Sequence, residues 1–372
     1  MFNFDEPLNR KGTKSIKWDG ISGDLLPMWI ADMDFMAPPQ VIKALKERAE
    51  YGVFGYSAME FLPGILKKWL HDEFGLYVEE SWIVLLPSII PALKAASHLR
   101  DGRIMIHTPN YNGLLAAPLA AGKETVLLPL QNNNEYYSMD FEKMQNILEP
   151  DIKLYFLCNP HNPVGRVYTK DELLELSRFA RKNNIIVISD EVHYGLVFDR
   201  PHIPYFSVDD YSMENSITLI GPAKTFNLPG LPFGFAIIPG DNLRKEFSRA
   251  CYTFPEIGIF NAIAAAAAFG ESRDWKNALV EYLRSNRDYL ENRLKKSFPQ
   301  ARMTHAEGTY LQWIDFRPLG IKDPFNWLIE NPKIFSSDGK IFGAEGYIRL
   351  NFGTQRSRLA EALDRIEECA SN

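Results

Sequence analysis

The chain has 372 residues, of which 46% are hydrophobic, and this is enough apolar material for a large buried core or two domains. Its formal net charge of −6 argues against general binding to nucleic acid or to an anionic membrane surface. The three cysteines (Cys158, Cys251 and Cys369) are far apart and form no Cys-x-x-Cys pair, so they predict neither a disulfide framework nor a zinc knuckle.

The hydrophobicity pattern indicates a protein of the cytoplasm with no membrane partner. Residues 1–6 do not combine a basic segment with an apolar one, so we expect no signal peptide. The longest run of small apolar residues, Ala262 to Phe269, is too short to span a bilayer. A reducing compartment is the simplest setting for widely spaced cysteines. The histidines show no metal-ligand spacing, and we expect no metal site.

The middle of the chain alternates short apolar runs with helical patterns, which is typical of a mainly parallel sheet covered by helices. The predicted strands are Ile104–His107, Leu154–Cys158, Ile185–Ser189, Ile217–Ile220 and Phe235–Ile238. A capping box at Thr169-Lys170-Asp171-Glu172 predicts the start of a helix, because apolar residues follow at helical spacing. The sequence therefore predicts an α/β fold with three layers, αβα.

The composition changes after residue 270, where the pattern of a second domain begins. The predicted elements here are an amphipathic helix around Trp275–Lys296, strands at Tyr310–Phe316 and Tyr347–Phe352, and a last helix from about Ser357. We predict a large α/β domain over residues 41–270. Residues 1–40 and 271–372 would form a smaller α+β domain.

Polar side chains follow the predicted strands of the large domain. In chain order they are Tyr111, Asn159, Asn162, Asp190, His193 and Lys224. Ligands of open α/β sheets bind at the carboxyl ends of the strands, so these side chains are expected to meet in one crevice. Taken singly, each has an ordinary explanation: Asn159 as a turn former, Asp190 as a helix cap, Tyr111 as packing, and Lys224 as a surface group.

Together these side chains match the needs of pyridoxal 5′-phosphate (PLP). Lys224 supplies an amine for the aldehyde, and Asp190 supplies the carboxylate that keeps the pyridine nitrogen protonated. Asn162 and either His193 or Tyr194 would donate to the ring oxygen.

The rest of the cofactor has candidates as well. Tyr111 would stack on the ring face. A helix N-terminus at Ser88-Ile89-Ile90, with Ser88 as N-cap, offers free N–H groups for the phosphate.

Asn162, Asp190, His193 and Lys224 lie in three motifs, namely Asn159-Pro160-His161-Asn162-Pro163-Val164-Gly165, Ser189-Asp190-Glu191-Val192-His193 and Ala223-Lys224-Thr225-Phe226-Asn227. In them the chain resembles the fold-type I PLP enzymes of the class I/II aminotransferase superfamily. Further motifs occur at residues 10–19, 27–35, 54–57, 307–310 and 346–352. With these it is most similar to the cystathionine β-lyase (C–S lyase) branch of MalY/PatB type.

The resemblance implies a role for each position. Lys224 would be the Schiff-base lysine and proton shuttle, with Asp190, Asn162, His193 and Tyr111 around the cofactor ring. Tyr56 would reach the phosphate of a neighbouring subunit, which implies a homodimer with shared sites. Arg349 would bind the substrate α-carboxylate in a bidentate manner. Without the resemblance, Tyr56 is explained as a core aromatic and an outward Arg349 as a surface charge.

The chain also departs from its relatives. Ala223 stands where many have a serine that touches the phosphate, Ser88 stands where a glycine is usual, and Leu231-Pro232-Phe233 occupies the stretch of the aminotransferase arginine. The leading hypothesis is a C–S β-lyase acting on cystathionine or related cysteine conjugates, and the second is an aminotransferase. A phosphate-binding loop at Gly221–Thr225 lacks the glycine before Lys224, and no basic or aromatic patch favours a nucleic-acid-binding regulator.

Overall fold

The architecture comes from a computed structural model that describes residues 2–56 and 58–370. The helices are α1 (Ile16–Asp19), α2 (Pro39–Tyr51), α3 (Phe61–Phe74), α4 (Ile89–Ala96), α5 (Asn112–Ala120), α6 (Phe141–Asn146), α7 (Lys170–Asn183), α8 (Asp210–Glu214), α9 (Pro222–Thr225), α10 (Asp241–Ala250), α11 (Ile259–Glu271), α12 (Arg273–Ser297), α13 (Pro324–Glu330) and α14 (Arg356–Ala370). The strands are β1 (Leu26–Pro27), β2 (Ile83–Leu86), β3 (Ile104–Thr108), β4 (Thr125–Pro129), β5 (Gln131–Asn133), β6 (Tyr136–Ser138), β7 (Leu154–Cys158), β8 (Ile186–Asp190), β9 (Ser216–Ile220), β10 (Gly234–Ile237), β11 (Arg302–Met303), β12 (Leu311–Asp315), β13 (Ile334–Phe335), β14 (Ser337–Asp338) and β15 (Tyr347–Asn351).

The main sheet has seven strands in the order β2-β10-β9-β8-β7-β3-β4. The strands from β9 to β4 pair in parallel, whereas β10 runs antiparallel to both β9 and β2. Strands β3, β7, β8 and β9 are buried throughout, which explains their continuous apolar runs. The predicted mainly parallel α/β sheet is therefore confirmed.

Successive residues of the central strands point to opposite faces of the sheet, and each face is covered. On one face, Tyr155 and Val187 pack with Leu173 of α7. On the other, Phe156 and Ile188 pack with residues of α4 and α10. This alternation produces the predicted three layers.

Helix α7 begins as its sequence predicts. The Thr169 side chain accepts from the Glu172 backbone N–H, and the Glu172 carboxylate accepts from the Thr169 N–H at 2.7 Å. Two orphan N–H groups of the first turn are thereby satisfied. Several predicted strand boundaries differ from the observed ones by a residue. At the site, Asp190 is the last residue of β8, paired with Cys158 of β7, and does not follow the strand.

A second, antiparallel sheet of four strands has the order β11-β12-β15-β14 and packs with α12, α13 and α14. The N-terminal segment joins this region, because β1 pairs in parallel with β13 and the Asn351 N–H donates to Met28 O. The division into residues 41–270 and the two flanking segments stays a prediction, and Met1 and residues 371–372 lie outside the described residues. None of the helices within residues 2–56 and 58–370 has the length and apolarity to cross a membrane.

Candidate active site

A cavity of about 300 Å³ opens at the carboxyl edge of the main sheet. Among its lining residues are Ser88, Ile89, Ile90, Tyr111, Asn162, Asp190, His193, Lys224 and Arg349. The side chains that the sequence predicts for the site therefore meet here, with the exceptions of Tyr56, Asn159 and Tyr194, which do not line the cavity. The strand-end rule accounts for most of them, because β7, β8 and β9 all end at this edge.

Lys224 lies in the short helix α9, directly after β9, and its side chain enters the cavity. Its Nζ donates a hydrogen bond to the carbonyl oxygen of Ala31 at 2.8 Å. Burial and the nearby charge of Arg349 lower the pKa of the Lys224 ammonium to about 8, against the opposing effects of Asp32 and Asp190. A larger fraction of this amine is thus unprotonated and nucleophilic near neutral pH than of an ordinary lysine.

Asp190 is 2% exposed at the end of β8, and one of its carboxylate oxygens accepts the Val192 N–H at 3.3 Å. Burial raises the pKa of Asp190 to about 6, although Val192 and the charge of Lys224 oppose that rise. A buried carboxylate with so weak a hydrogen bond is costly unless a cation or a proton donor faces it. Asp190 therefore fits a protonated ring nitrogen.

Arg349 projects from β15 into the cavity and is 5% exposed, so the surface-charge explanation is wrong. Its two terminal nitrogens donate to Asn162 Oδ1 at 2.9 Å and to Trp29 O at 3.1 Å. Its Nε is buried and has no hydrogen-bond partner among residues 2–56 and 58–370. Burial lowers the pKa of Arg349 to about 10, which leaves it a cation at neutral pH. An anion such as a carboxylate is the ligand that this side chain lacks.

The side chains of Tyr111 and His193 also line the cavity. Burial raises the pKa of the Tyr111 phenol, and Asp190 raises it further. Burial lowers the pKa of His193 well below its usual range, so this imidazole is neutral. Within the described part of the chain, His193 Nδ1 is a buried atom without a hydrogen-bond partner. The orphaned nitrogen is the kind of group that a polar ligand would satisfy.

Ser88 is the N-cap of α4, as predicted, but its side chain makes no capping hydrogen bond. Ile89 and Ile90 form the first turn, whose N–H groups are those a helix leaves free for an anion. Tyr56 does not join them. The residue is 96% exposed and does not line the cavity, so the explanation of Tyr56 as a core aromatic is wrong. Ser57, from the same motif, lies outside the described residues.

Ile30 and Ala31 line another wall of the cavity. They belong to a segment that sequence reasoning missed as a structural unit, residues 29–35, which we call the strap. Each of its carbonyl oxygens accepts a hydrogen bond from a side chain. The donors in order are Arg349 and Ser337 on Trp29, Asn351 on Ile30, Lys224 on Ala31, Lys17 and Asn351 on Asp32, Arg10 and Asn227 on Met33, Gln355 on Asp34, and Asn227 on Phe35. The backbone acceptors of a segment outside the sheets are thereby satisfied by side chains.

A buried ion cluster anchors the strap. The Asp34 carboxylate accepts from Lys17 Nζ at 2.8 Å, from Arg10 at 2.9 Å and from the Trp18 indole at 2.9 Å. Although burial opposes it, the Lys17 ammonium and its neighbours hold the pKa of Asp34 at about 2. Burial lowers the pKa of Lys17, which is fully enclosed. Residues of the two motifs at 10–19 and 27–35 contact each other in this cluster. A pairing between these two motifs is the sequence signal from which the strap could have been predicted.

No cluster of three or more His, Cys, Asp or Glu side chains suited to a metal ion occurs in residues 2–56 and 58–370. The polar groups of the cavity are instead an amine, a buried carboxylic acid, an arginine and a helix N-terminus. This set matches the polar groups of PLP and an amino acid.

Comparison with known proteins agrees with the class that this fold and site define. Residues 24–366 match the model of the family "Aminotransferase class I and II", and the chain belongs to that family. It is 32% identical to the cystathionine beta-lyase PatB of Bacillus subtilis, with 99% of this chain and 100% of that protein covered. It is equally 32% identical to the protein MalY of Escherichia coli, with coverage of 98% and 97%. Cystalysin from Treponema denticola, whose crystal structure contains PLP, superposes with a TM-score of 0.95 at 28% identity, covering 100% and 99% of the chains. The expected family and fold are confirmed.

Proposed function

We propose that the chain is a PLP-dependent carbon–sulfur β-lyase that acts on cystathionine or related cysteine conjugates. The observation that carries the proposal is the convergence of Lys224, Asp190 and Arg349 on one cavity, with the lysine pKa lowered to about 8. The names of the similar proteins PatB and cystalysin support the same activity.

The residues present fit the cofactor. Lys224 would hold its aldehyde carbon, Asp190 its ring nitrogen, and Asn162 with His193 its ring oxygen. Tyr111 would lie against the ring, and the N–H groups at Ser88, Ile89 and Ile90 would bind the phosphate. When bound, PLP withdraws electrons from the α-carbon of an attached amino acid.

The chemistry left to the protein is positioning and proton transfer. Arg349 binds the α-carboxylate with its forked donors and so fixes the orientation of the α-carbon. Once the substrate amine has replaced it, Lys224 is free, and its lowered pKa makes it a base that removes the α-proton. Asp190 stays ionised to keep the ring nitrogen protonated.

Removal of the α-proton is followed by elimination of the sulfur substituent. The α-proton goes to Lys224 Nζ, the Cβ–S bond breaks, and its electron pair leaves with sulfur as a thiolate. The carbon skeleton is released as aminoacrylate, which water converts to pyruvate and ammonia. Cystathionine would give homocysteine as the thiol.

The second candidate is an aminotransferase, which the family membership favours. It uses the same residues up to removal of the α-proton. It differs in where Lys224 returns that proton, because transamination places it on the cofactor carbon. The outcome of the reaction therefore depends on whether Cβ carries a sulfur substituent that can leave as a thiolate before the proton is returned.

We further propose a homodimer with shared sites, located in the cytoplasm. Tyr56 is 96% exposed, and nearby Val53 and Phe54 are each 58% exposed. Exposed apolar side chains in one short segment are typical of an interface. In the dimer, Tyr56 would reach the phosphate site of the partner subunit. Sedimentation of the protein as a monomer with full activity would contradict this arrangement.

The test uses the purified protein with PLP. It is incubated with cystathionine in one arm and with an amino acid plus 2-oxoglutarate in the other. We expect thiol and pyruvate in the first arm in equal amounts. Glutamate in the second arm, without thiol or pyruvate in the first, would replace the lyase by the aminotransferase.

A further inference from the structure

The amine of Lys224 contacts one backbone oxygen of the strap. Its Nζ donates to Ala31 O at 2.8 Å, and within residues 2–56 and 58–370 this is the only hydrogen bond of either atom. A primary amine and an ammonium can both donate to a carbonyl oxygen. The contact is therefore open to Lys224 both before and after it takes up a proton.

One side chain, that of Asn351, holds the backbone on both sides of Ala31 O. Its Nδ2 donates to Ile30 O at 2.6 Å and to Asp32 O at 3.0 Å, the carbonyls directly before and after that of Ala31. The Asp32 N–H donates to Ile30 O at 2.8 Å, which closes a γ-turn centred on Ala31. Because Asp32 N–H and Ala31 O belong to the same planar peptide group, these bonds also fix the direction of Ala31 O.

Asn351 is itself held firmly. It is 0% exposed, its Oδ1 accepts the Gly353 N–H at 2.7 Å, and its backbone N–H donates to Met28 O at 2.8 Å. It lies two residues after Arg349 on β15, so both side chains project from the same face of that strand. Strand β15 therefore supplies the arginine proposed for the α-carboxylate and the amide that holds the acceptor of Lys224.

We propose that Ala31 O holds the Lys224 amine during transfer of the α-proton, and that Asn351 is the positioning residue that directs this oxygen. The inference rests on the proposed role of Lys224 as the base, which the lyase and the aminotransferase share. In the step, the Cα–H bond breaks, its electron pair stays on the carbon skeleton bound to the cofactor, and the proton forms a new N–H bond on Nζ. An N–H directed at Ala31 O restricts rotation of the amine and so orients its lone pair. The ammonium that forms keeps the same acceptor, which stabilises its charge.

The variant that tests this role is Asn351→Ala, which removes both donors and lets the Ala31 carbonyl turn. The matched control is Gln355→Ala. Gln355 is also a buried amide, and its Nε2 donates to Asp34 O of the strap at 2.5 Å and to Glu6 O at 3.1 Å. Both variants therefore remove hydrogen bonds of the same kind from the strap, and both should lower the melting temperature. The carbonyl that Gln355 holds, however, is three residues away from that of Ala31.

The first experiment measures the pKa of Lys224 in the protein without PLP. Trace acetylation with acetic anhydride modifies unprotonated amines, and mass spectrometry of the Lys224 peptide gives the extent of labelling at each pH. Loss of an acceptor disfavours the ammonium, so the midpoint should fall by about one pH unit in Asn351→Ala and stay unchanged in Gln355→Ala. The charged side chains that act on this lysine are present in all three proteins: Arg349, Asp32 and Asp190. A midpoint that stays or rises in Asn351→Ala, or that falls equally in both variants, would overturn the proposal.

The second experiment follows the proton transfer itself in the holoenzyme. Alanine has no leaving group on Cβ, and exchange of its α-hydrogen for deuterium in D₂O is measured by NMR without any 2-oxo acid. At saturating alanine, Asn351→Ala should slow the exchange by about tenfold, because the amine is no longer oriented. The dissociation constant of alanine, read from the absorbance of bound PLP, should stay within about twofold, because Arg349 keeps its contacts to Asn162 and Trp29 O. Weaker binding of alanine with an unchanged exchange rate would overturn the proposal.

A second substitution covers the case in which Asn351→Ala does not fold. Asn351→Ser keeps one hydroxyl donor, and it should shift the midpoint and the exchange rate in the same direction by smaller amounts. Wild-type values for both in Asn351→Ser would overturn the proposal. Neither measurement depends on the lyase reaction, so a failure to release thiol from cystathionine would overturn the lyase function alone.

Discussion

The two walls of the cavity are built in different ways. The wall on the main sheet, which we call the floor, consists of strand ends and the turns after them, where Asn162, Asp190 and Lys224 lie within a few residues of β7, β8 and β9. The second wall includes Ile30 and Ala31 of the strap, an irregular segment whose carbonyl oxygens accept hydrogen bonds from side chains in distant parts of the chain. The floor follows from a general rule of parallel sheets, whereas the strap depends on long-range donors. We therefore expect damage to the floor to appear in catalysis and damage to the strap away from Ala31 to appear in stability.

The largest expected effect is on the floor, from Lys224→Ala. Removing the amine removes the base for the α-proton, which is expected to lower kcat/KM by about 10²–10⁴-fold or more. Borohydride reduction followed by mass spectrometry should find the PLP adduct in the wild type and lose it in the variant. The melting temperature of the protein without PLP should change little, because within the described residues Lys224 Nζ donates a single hydrogen bond, to Ala31 O.

The matched control is Lys43→Ala, which removes a lysine whose side chain is 77% exposed. It should keep both the activity and the adduct. An adduct that persists in Lys224→Ala would show that another lysine binds PLP covalently, and would contradict the role assigned to Lys224.

The strap is tested by Asp34→Asn. The substitution leaves the enclosed ammonium of Lys17 without its carboxylate, and breaking a buried pair in this way costs about 3–5 kcal/mol. Urea unfolding of the protein without PLP should show the loss in the free energy of unfolding. Lys17→Met should cost less, because Asp34 keeps Arg10, Trp18 and Arg358 as neighbours. Equal losses, or a loss below about 1 kcal/mol for Asp34→Asn, would mean that the cluster does not anchor the strap.

The same contrast explains what the sequence predicts. Five strands of the main sheet are recognisable because their runs are buried and apolar, but β2 and β4 were missed. These two are the edge strands, and each is only partly buried: β2 at Ile83 and Leu86, and β4 at Leu128.

The site residues divide in a similar way. The floor residues follow from their position after strands, whereas Arg349 became a candidate through the resemblance to a known family. The carbonyl-binding roles of Asn227 and Asn351 have no local pattern, because each donates to backbone that is 192–321 residues away. Tyr56 was identified by motif, and its 96% exposure agrees with a role that depends on a second subunit.

Asp190→Asn is expected to stabilise the folded protein, although it removes a residue of the candidate site. Burial raises the pKa of Asp190 from 3.8 to about 6, so the folded protein binds a proton more tightly than the unfolded chain. The carboxylate therefore lowers stability as the pH rises from about 4 to about 6, and the full cost is present above that range. Without PLP, the variant should be more stable than the wild type at pH 8 by on the order of 1–3 kcal/mol, with no gain at pH 3.5. A gain that grows toward acid pH would contradict the burial cost of this carboxylate.

The smallest effect is expected from His305, which contacts both helix α12 and the loop that follows β8. His305 contacts Glu291 of α12 through Nδ1 at 2.9 Å and Asp199 through Nε2 at 3.0 Å, which requires the doubly protonated ring. The hydrogen bond to Glu291 raises the pKa of His305 above 6.5. Its stabilising contribution is thus complete below pH 6.5 and lost as the pH rises through the raised pKa. Because the ring is half exposed, the loss should be below about 1 kcal/mol. His305→Gln should remove this dependence from melting curves taken between pH 6 and pH 9, while a dependence equal to that of the wild type would place its source in another group.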